Sequence, residues 1–280
     1  MIARACFASL CLLVLSVFAA ESSPAADSPL RVGIVPYNST AALMQTHKPL
    51  RDFLSQKLGR KVVLYSSKDH AHFFQETLNG RFDVVLTTGH FMPAMIKKGF
   101  EPLLCYRSRL EISVVVRKDS DIKTIEDLRD KTIGLPDYLS LFYIGGMQWL
   151  DSVGLAKHYN IVEQASHITA IMAVASKRID AAITSIYPLR QASKETQEQV
   201  VALSLTTVSF PSILMLADKK LGDQTVKDIA DAFLAFELSE AGRQFFVDTG
   251  YIGYRAVTND DIKAFNEYAK LTEKILESRP

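Results

Sequence analysis

Pairs of hydroxyl side chains end two similar stretches of this sequence. Thr87 and Thr88 end the first, and Thr184 and Ser185 end the second, each directly after a run of three apolar residues. Hydroxyl groups both donate and accept hydrogen bonds, so they suit the binding of a polar solute. We therefore predict that Thr87, Thr88 and Ser185 contact a ligand.

Each hydroxyl pair belongs to a repeated helix–strand unit. Residues 81–88 and 178–185 each follow a helix-like segment and carry an aspartate, Asp83 or Asp180, just before the apolar run. A short apolar run after a helix is typical of a buried strand in a parallel sheet. Ligands of open α/β sheets bind beyond the carboxyl ends of such strands. The repeat predicts two α/β lobes whose strand ends face each other across a cleft. The two aspartates are expected to bond backbone N–H groups instead of the ligand.

Composition describes an ordinary globular protein and argues against several function classes. The 280 residues include 32 Lys plus Arg and 31 Asp plus Glu, without the basic stripe typical of nucleic-acid binding. The sequence contains no Gly-x-Ser-x-Gly elbow, phosphate-binding loop with a lysine, or His-Glu-x-x-His motif. We therefore expect a binding protein that is not an enzyme and that needs no cofactor.

The N-terminal segment predicts export. Arg4 precedes an apolar run that is shorter than the ~20 residues of a membrane-spanning helix and ends in small residues. We predict a cleavable signal peptide over residues 1–20 and a flexible leader over residues 21–29. Cys105 is the single cysteine after this segment, so no internal disulfide forms. Export without disulfides favours the periplasm.

Apolar patterns divide the remaining chain into two lobes. Strand and helix patterns alternate after the leader, which implies parallel strands joined by right-handed crossovers. After Asp218 three helical stripes follow, and they must pack on an existing lobe. We predict a discontinuous lobe one over residues 28–113 and 212–280, and lobe two over residues 114–211. The two crossings between the lobes form a double-strand hinge.

The order of these features resembles that of type II periplasmic solute-binding proteins, specifically the phosphate-, phosphite- and phosphonate-binding branch of ABC importers. The matching stretches are Gly33-Ile34-Val35-Pro36, Lys68-Asp69-His70, residues 116–128 and residues 166–180. The resemblance covers about residues 30–255. It implies a two-lobed α/β Venus-flytrap fold that closes on a small phosphonate-like or other organic solute. It also implies a monomer that delivers this solute to a membrane permease.

Within this resemblance the chain departs from the family at the ligand site. Members that bind phosphonates carry a Ser-Thr-Ser-Gly cluster at a helix start, where backbone N–H groups and hydroxyls hold the anion. Here the stretch is Asp137-Tyr138-Leu139-Ser140, in which Ser140 is the remaining hydroxyl. Glu111 replaces a tyrosine near the hinge, and Tyr187 replaces an acidic residue after the second strand. By position, the resemblance implies ligand contacts from Glu111, Tyr138, Ser140 and Tyr187.

Five further polar residues lie at the predicted rim of the cleft. Tyr37 and Asn38 follow the first strand. His70 and His90 belong to lobe one, and His167 takes the corresponding place in lobe two. Histidines without a neighbouring cluster of Asp or Glu make a weak metal site. We therefore predict that these five residues bond the ligand and that no metal is bound.

An alternative hypothesis keeps the fold but changes the partner. In a periplasmic sensor the same closure would signal to a membrane kinase or cyclase instead of feeding a transporter. The sequence is compatible with both partners.

Overall fold

A computed structural model describes residues 28–278, which form two β-sheets covered by helices. The predicted signal peptide and residues 21–27 of the predicted leader lie outside the described residues.

The secondary structure alternates between strands and helices. The strands are β1 (Leu30–Ile34), β2 (Val62–Tyr65), β3 (Val84–Thr87), β4 (Phe100–Tyr106), β5 (Arg109–Glu111), β6 (Ser113–Arg117), β7 (Lys131–Leu135), β8 (Tyr159–Glu163), β9 (Ala181–Thr184), β10 (Val200–Leu203), β11 (Ser209–Pro211), β12 (Leu214–Asp218) and β13 (Tyr254–Ala256). The α-helices are α1 (Thr40–Thr46), α2 (Lys48–Lys57), α3 (His70–Leu78), α4 (Met92–Lys97), α5 (Leu141–Ser152), α6 (His167–Ala175), α7 (Ile186–Arg190), α8 (Lys194–Gln199), α9 (Asp223–Leu238), α10 (Glu240–Thr249), α11 (Asn259–Ala264) and α12 (Asn266–Ser278). Short 3-10 turns cover Gly89–Phe91, Glu126–Leu128 and Lys219–Leu221.

The first sheet draws strands from both ends of the chain. Its order is β13-β4-β12-β3-β1-β2, in which β1 runs parallel to β2 and β3, and β12 runs antiparallel to β3 and β4. All four residues of β3 are buried, which explains the apolar run Val84-Val85-Leu86 before Thr87. Thr88 is the first residue after the strand, at its carboxyl end.

The second sheet lies wholly between residues 113 and 203. Its order is β10-β6-β9-β7-β8, with β7 parallel to β8 and β9. Strand β9 is buried along its whole length, like β3 in the first sheet. The edge strand β8 has no buried residue, so it gives no apolar run from which a strand could be predicted.

Two short strands join the sheets. Strands β5 and β11 pair antiparallel with each other outside both sheets, with Phe210 opposite Leu110. The Phe210 ring packs edge-on against Tyr268, 5.2 Å between ring centroids. A Cβ at Gly145 would lie 2.8 Å from the same ring, so the glycine lets α5 approach this ribbon closely. The ribbon is therefore packed against elements from both sides.

The C-terminal region corrects the prediction of three helices without a strand. It contains four helices, α9 to α12, and the strand β13, which pairs with β4. Tyr254 in β13 stacks on Tyr106 at 5.2 Å between ring centroids. A three-residue strand is too short to show a period, and its partner lies far away in the sequence. Helix α12 also packs against α5, and so touches the half of the molecule that holds the second sheet.

The two repeat aspartates tie neighbouring strands together. Asp83 accepts a hydrogen bond from the Arg31 backbone N–H at 2.8 Å and pairs with the Arg31 guanidinium at 3.0 and 2.6 Å. Asp180 accepts from the Thr132 backbone N–H at 2.8 Å. Both bond backbone N–H groups, but on the adjacent strand and not within a local turn.

We predict that Asp83→Ala lowers the free energy of unfolding by about 2 kcal/mol, because it leaves the Arg31 N–H without its acceptor. The exposed part of the ion pair adds little, since Arg31 is 43% exposed. Urea unfolding at neutral pH measures the change.

The matched control is Asp52→Ala. Asp52 pairs with Lys48 and Arg51 on the surface of α2 and is itself half-exposed. Its loss is expected to cost less than about 1 kcal/mol. Equal effects of the two substitutions would contradict the structural role of Asp83.

Candidate functional site

The carboxyl ends of β3 and β9 meet at one cavity between the two sheets. Thr88 follows β3 and Ser185 follows β9, and both line this cavity of about 30 Å³. In this conformation it has room for roughly two water molecules. The structure therefore brings together one hydroxyl from each repeat.

Hydroxyl, imidazole and apolar side chains from both halves line the cavity. The lining residues are Val35, Tyr37, His70, Thr88, Leu110, Ser140, Leu141, Phe142, His167, Ser185, Pro188, Ile213 and Tyr251. Thr88 is 8% exposed, and its Oγ1 has no hydrogen-bond partner within residues 28–278. A buried hydroxyl without a partner is costly. Thr88 is therefore suited to bond a polar group of a ligand.

Two of the lining serines begin helices. Ser140 Oγ accepts from the Tyr143 N–H at 3.0 Å at the start of α5, and Ser185 Oγ accepts from the Tyr187 N–H at 3.4 Å at the start of α7. A helix N-terminus carries partial positive charge and free N–H groups. The start of the 12-residue α5 therefore favours a negatively charged or hydrogen-bond-accepting group in the cavity.

A buried carboxylate bridges the two halves beside the cavity. Asp137 Oδ2 accepts from the His70 backbone N–H at 3.0 Å and lies 3.3 Å from His70 Nδ1, while Oδ1 accepts from the Leu139 N–H at 2.8 Å. Asp137 is 5% exposed and His70 is 2% exposed. Burial alone would raise the pKa of Asp137, but the bonds and charge from His70 and the backbone N–H groups outweigh it and hold the pKa at about 2. Asp137 is therefore a charged group inside the interface.

His90 makes a second contact between the halves. Its Nε2 lies 2.8 Å from the Leu139 carbonyl oxygen, so Nε2 carries the hydrogen and donates it. Its Nδ1 is buried without a hydrogen-bond partner in the described part of the chain. The pKa of His90 is lowered to about 3, mainly by burial and secondarily by the nearby His70, whereas the contact with Leu139 raises it. His90 is therefore neutral at physiological pH and fixed as one tautomer.

His167 lines the cavity from the second half. Its Nδ1 lies 2.7 Å from Thr184 Oγ1, and the Phe142 ring meets the imidazole edge-on at 4.8 Å. Burial is the main cause that lowers the pKa of His167 to about 3. The imidazole is therefore a neutral group held in place at the end of β9.

Stacked tyrosines form one wall of the cavity. Tyr251 lines it and packs against Tyr106 at 4.4 Å on one side and Tyr187 at 4.7 Å on the other, between ring centroids. The Tyr187 hydroxyl donates to the Arg109 carbonyl oxygen at 3.1 Å. Tyr187 thus stands behind Tyr251 and links the cavity wall to β5, but it does not line the cavity.

Half of the predicted ligand contacts meet at the cavity. Six of the twelve predicted residues line it: Tyr37, His70, Thr88, Ser140, His167 and Ser185. His90 and Tyr187 lie directly behind the lining, through the contacts described above.

The other four predicted contacts lie apart from the cavity, each for a local reason. Thr87 is fully buried as the last residue of β3 and is not part of the cavity lining. Glu111 faces solvent because β5 alternates exposed and buried positions. Asn38 lines a separate surface cleft and accepts from the Ser39 N–H at 2.8 Å. The Tyr138 N–H donates to Glu163 at 3.4 Å, and Tyr138 is not part of the cavity lining.

Two important residues were not among the predicted contacts. Asp137 lies next to the predicted Ser140, but its partner His70 is 67 positions away, so the sequence gives no sign of the pair. Tyr251 follows α10 at a position where no periodic pattern marks a site. A cleft reached by side chains from distant segments is visible only in three dimensions.

Within residues 28–278 no group of three or more His, Cys, Asp or Glu side chains is arranged to hold a metal ion. In that same span, no helix combines the length and the apolar character needed to cross a membrane. Cys105 is a buried free cysteine, and burial raises the pKa of its thiol to about 11. Its thiolate is therefore scarce at neutral pH.

Comparison with known proteins identifies close structural relatives. A profile of the family described as periplasmic substrate-binding protein of phosphonate ABC transporters matches residues 32–262. A binding protein component of an ABC phosphonate transporter from Pseudomonas aeruginosa has a TM-score of 0.70 at 18% identity, over 90% of this chain and 99% of that chain. A Prochlorococcus marinus protein in complex with methylphosphonate has a TM-score of 0.76 at 15% identity, over 88% and 98%.

A Xanthomonas citri protein bound to ATP has a TM-score of 0.67 at 16% identity, over 91% of this chain and 100% of that chain. Among curated protein sequences no relative was found. At these identities the structural matches show the fold, which is the mixed α/β fold of type II periplasmic binding proteins. The fold class predicted from the sequence is thereby confirmed.

We predict that the protein loses stability as pH falls from about 6.5 to about 4. His47, His90 and His167 have pKa values of about 4, 3 and 3 in the folded protein, because burial disfavours their charged form. In the unfolded chain they titrate near 6.5 and bind protons first, so falling pH favours unfolding. Above about pH 6.5 these histidines do not make the free energy of unfolding depend on pH. Below the pKa that a histidine has in the folded protein, that histidine causes no further loss of stability.

Urea unfolding at about pH 7 and about pH 5 tests this, with an expected loss of about 2 kcal/mol for each buried histidine. His90→Gln, which can still donate to Leu139, is expected to reduce the loss. His158→Gln is the control, because His158 is exposed and near Asp130 only at 3.9 Å. Asp137 titrates below this window, so it does not obscure the result. Stability that stays constant between the two pH values would contradict the prediction.

Proposed function

We propose that this chain, which belongs to the periplasmic substrate-binding proteins of ABC phosphonate transporters, captures a compact solute in the cavity between its two sheets. Proteins of this family bind a small molecule in the periplasm and pass it to a membrane permease. They are binding proteins and not enzymes. The cavity of this chain, its closure and its choice of solute are the parts that we propose.

The observation that carries the proposal is the shared position of Thr88 and Ser185. They follow equivalent buried strands of two different sheets and line the same cavity. A solute bonded to both hydroxyls would contact both halves only when the halves are together. Such a solute stabilises the closed arrangement by its differential affinity for it.

The connection between the sheets supports closure by rotation. The chain passes between them at β5 and β11, which pair with each other and belong to neither sheet. We propose two lobes, residues 28–113 with 212–280 and residues 114–211, that move about this ribbon. A few residues in two strands suffice to absorb a hinge rotation. The contacts of Asp137 and His90 across the cleft would form as the lobes close.

The size of the cavity favours a small solute. About 30 Å³ is compatible with a compact molecule after modest adjustment, and not with a nucleotide. Of the two ligands present in the relatives compared above, methylphosphonate is compact and ATP is bulky. We propose a compact oxyanion or similar organic solute, bound by a monomer.

We predict that Thr88→Ala combined with Ser185→Ala removes most of the solute-induced rise in melting temperature. The fold without solute should survive, because the Thr88 hydroxyl has no hydrogen-bond partner within residues 28–278 and Ser185 caps α7 through one long contact. Loss of that cap costs about 1 kcal/mol. The measurement is thermal unfolding with and without methylphosphonate and methanesulfonate, together with native mass spectrometry of protein from its host.

The control variant is Thr124→Ala combined with Ser176→Ala. Both hydroxyls are exposed and lie outside the cavity lining, so the solute-induced rise should be unchanged. A double variant at Thr88 and Ser185 that retains the full rise would show that the solute binds elsewhere.

A further inference from the structure

The cavity is lined without the cationic side chains that a site for oxyanions usually provides, as judged from the residues that the structure describes. None of the cavity-lining residues in the described part of the chain is Lys or Arg. The lining histidine His167 and the adjacent His90 are held neutral by burial, with pKa values of about 3. His70 is the lining imidazole that has a carboxylate beside it.

The Asp137 carboxylate already contacts the His70 backbone N–H and imidazole, the groups in this part of the site to which an anionic solute would otherwise bind. Asp137 accepts the backbone N–H of His70, the first residue of α3, and lies 3.3 Å from the His70 ring. An ionised carboxylate at a helix N-terminus offsets the positive end of that helix. If His70 is protonated, the pair is neutral, and if it is not, the pair is negative. In neither case does the pair present net positive charge to the cavity.

Hydrogen-bond donors at the cavity still favour an oxyanion. The N-terminus of α5, capped by Ser140, faces the cavity, and the Thr88 hydroxyl is more than nine-tenths buried and has no hydrogen-bond partner in the described part of the chain. These groups bond oxygen atoms without supplying a full positive charge. A first negative charge on the solute is therefore compensated by N–H and O–H donors. A second charge doubles the Coulomb repulsion from Asp137 and meets no further cation.

We propose that Asp137 sets the charge of the solute. The cavity takes a compact oxyanion with a single negative charge, such as an alkyl sulfonate or a phosphonate monoester, and rejects dianions of the same shape. This inference rests on the proposed function, because it assigns a substrate class to the same cavity.

The test uses two tetrahedral probes of nearly equal size, methanesulfonate and methylphosphonate, measured by isothermal titration calorimetry. At about pH 9, well above the second pKa of a phospho group, methylphosphonate carries two charges and methanesulfonate one. The wild-type protein should bind methanesulfonate at least about 10-fold more tightly. In Asp137→Asn, which keeps an oxygen acceptor for the His70 N–H, that ratio should fall about 10-fold through tighter methylphosphonate binding.

Asp180→Asn is the matched control. Asp180 lies in the same sheet region but at the far end of β9, where it accepts from the Thr132 N–H. The ratio should be unchanged in this variant. A second measurement needs no variant: wild-type affinity for methylphosphonate should rise as pH falls from about 9 to about 7, whereas that for methanesulfonate should stay constant.

Preference of the wild-type protein for methylphosphonate at about pH 9, or a ratio unchanged by Asp137→Asn, would overturn the role of Asp137 while leaving the proposed function intact. Binding of neither probe, together with an absent thermal shift, would overturn the proposed cavity itself. Melting temperatures of both variants are measured alongside, and if Asp137→Asn fails to fold, the wild-type pH series decides.

Discussion

The burial of two central strands is the constraint on which the rest of the structure depends. Strands β3 and β9 are enclosed on both faces, so their side chains are apolar up to the last residue, Thr87 or Thr184. Polar chemistry is therefore confined to the positions where each strand ends. Because β1 and β7 run parallel to these strands, their following loops lie at the same edges. The position of the cavity follows from the sheets before any ligand is considered.

The interface between the two halves buries several polar groups. Asp137 and His90 each find a backbone partner on the opposite side, and the two contacts converge on residues 137–139. Burial keeps His90 neutral, which avoids an unpaired charge, whereas Asp137 stays ionised because N–H groups surround it. The interface thus joins hydrogen-bonded polar groups and stacked aromatic rings.

Local sequence patterns predicted the parts of the structure that local physics determines. The repeated apolar runs predicted β3 and β9, and the hydroxyls after them predicted Thr88 and Ser185 at the cavity. Strand β8 gave no pattern because it is an edge strand without buried residues, and β13 is too short to show one. Asp137 and Tyr251 reach the cavity through contacts with segments distant in the sequence. The sequence predicted both Thr87 and Thr88 as ligand contacts, but of the two only Thr88 lines the cavity, because Thr87 is still part of β3. Two adjacent hydroxyl residues give no sign in the sequence of which one lies beyond the strand.

The sheets determine where the cavity lies, whereas single side chains determine the charge of the site. The sheets place the start of α5 at the cavity, and this disposition favours anions in any protein that shares it. Whether one or two negative charges are tolerated depends on single side chains near that helix. In this chain a carboxylate stands three positions before the helix cap and engages the start of α3. One substitution at such a position changes the electrostatic balance without altering a strand or a crossover. Proteins with the same two sheets can therefore select solutes of different charge, and similarity of fold identifies the cavity more securely than its occupant.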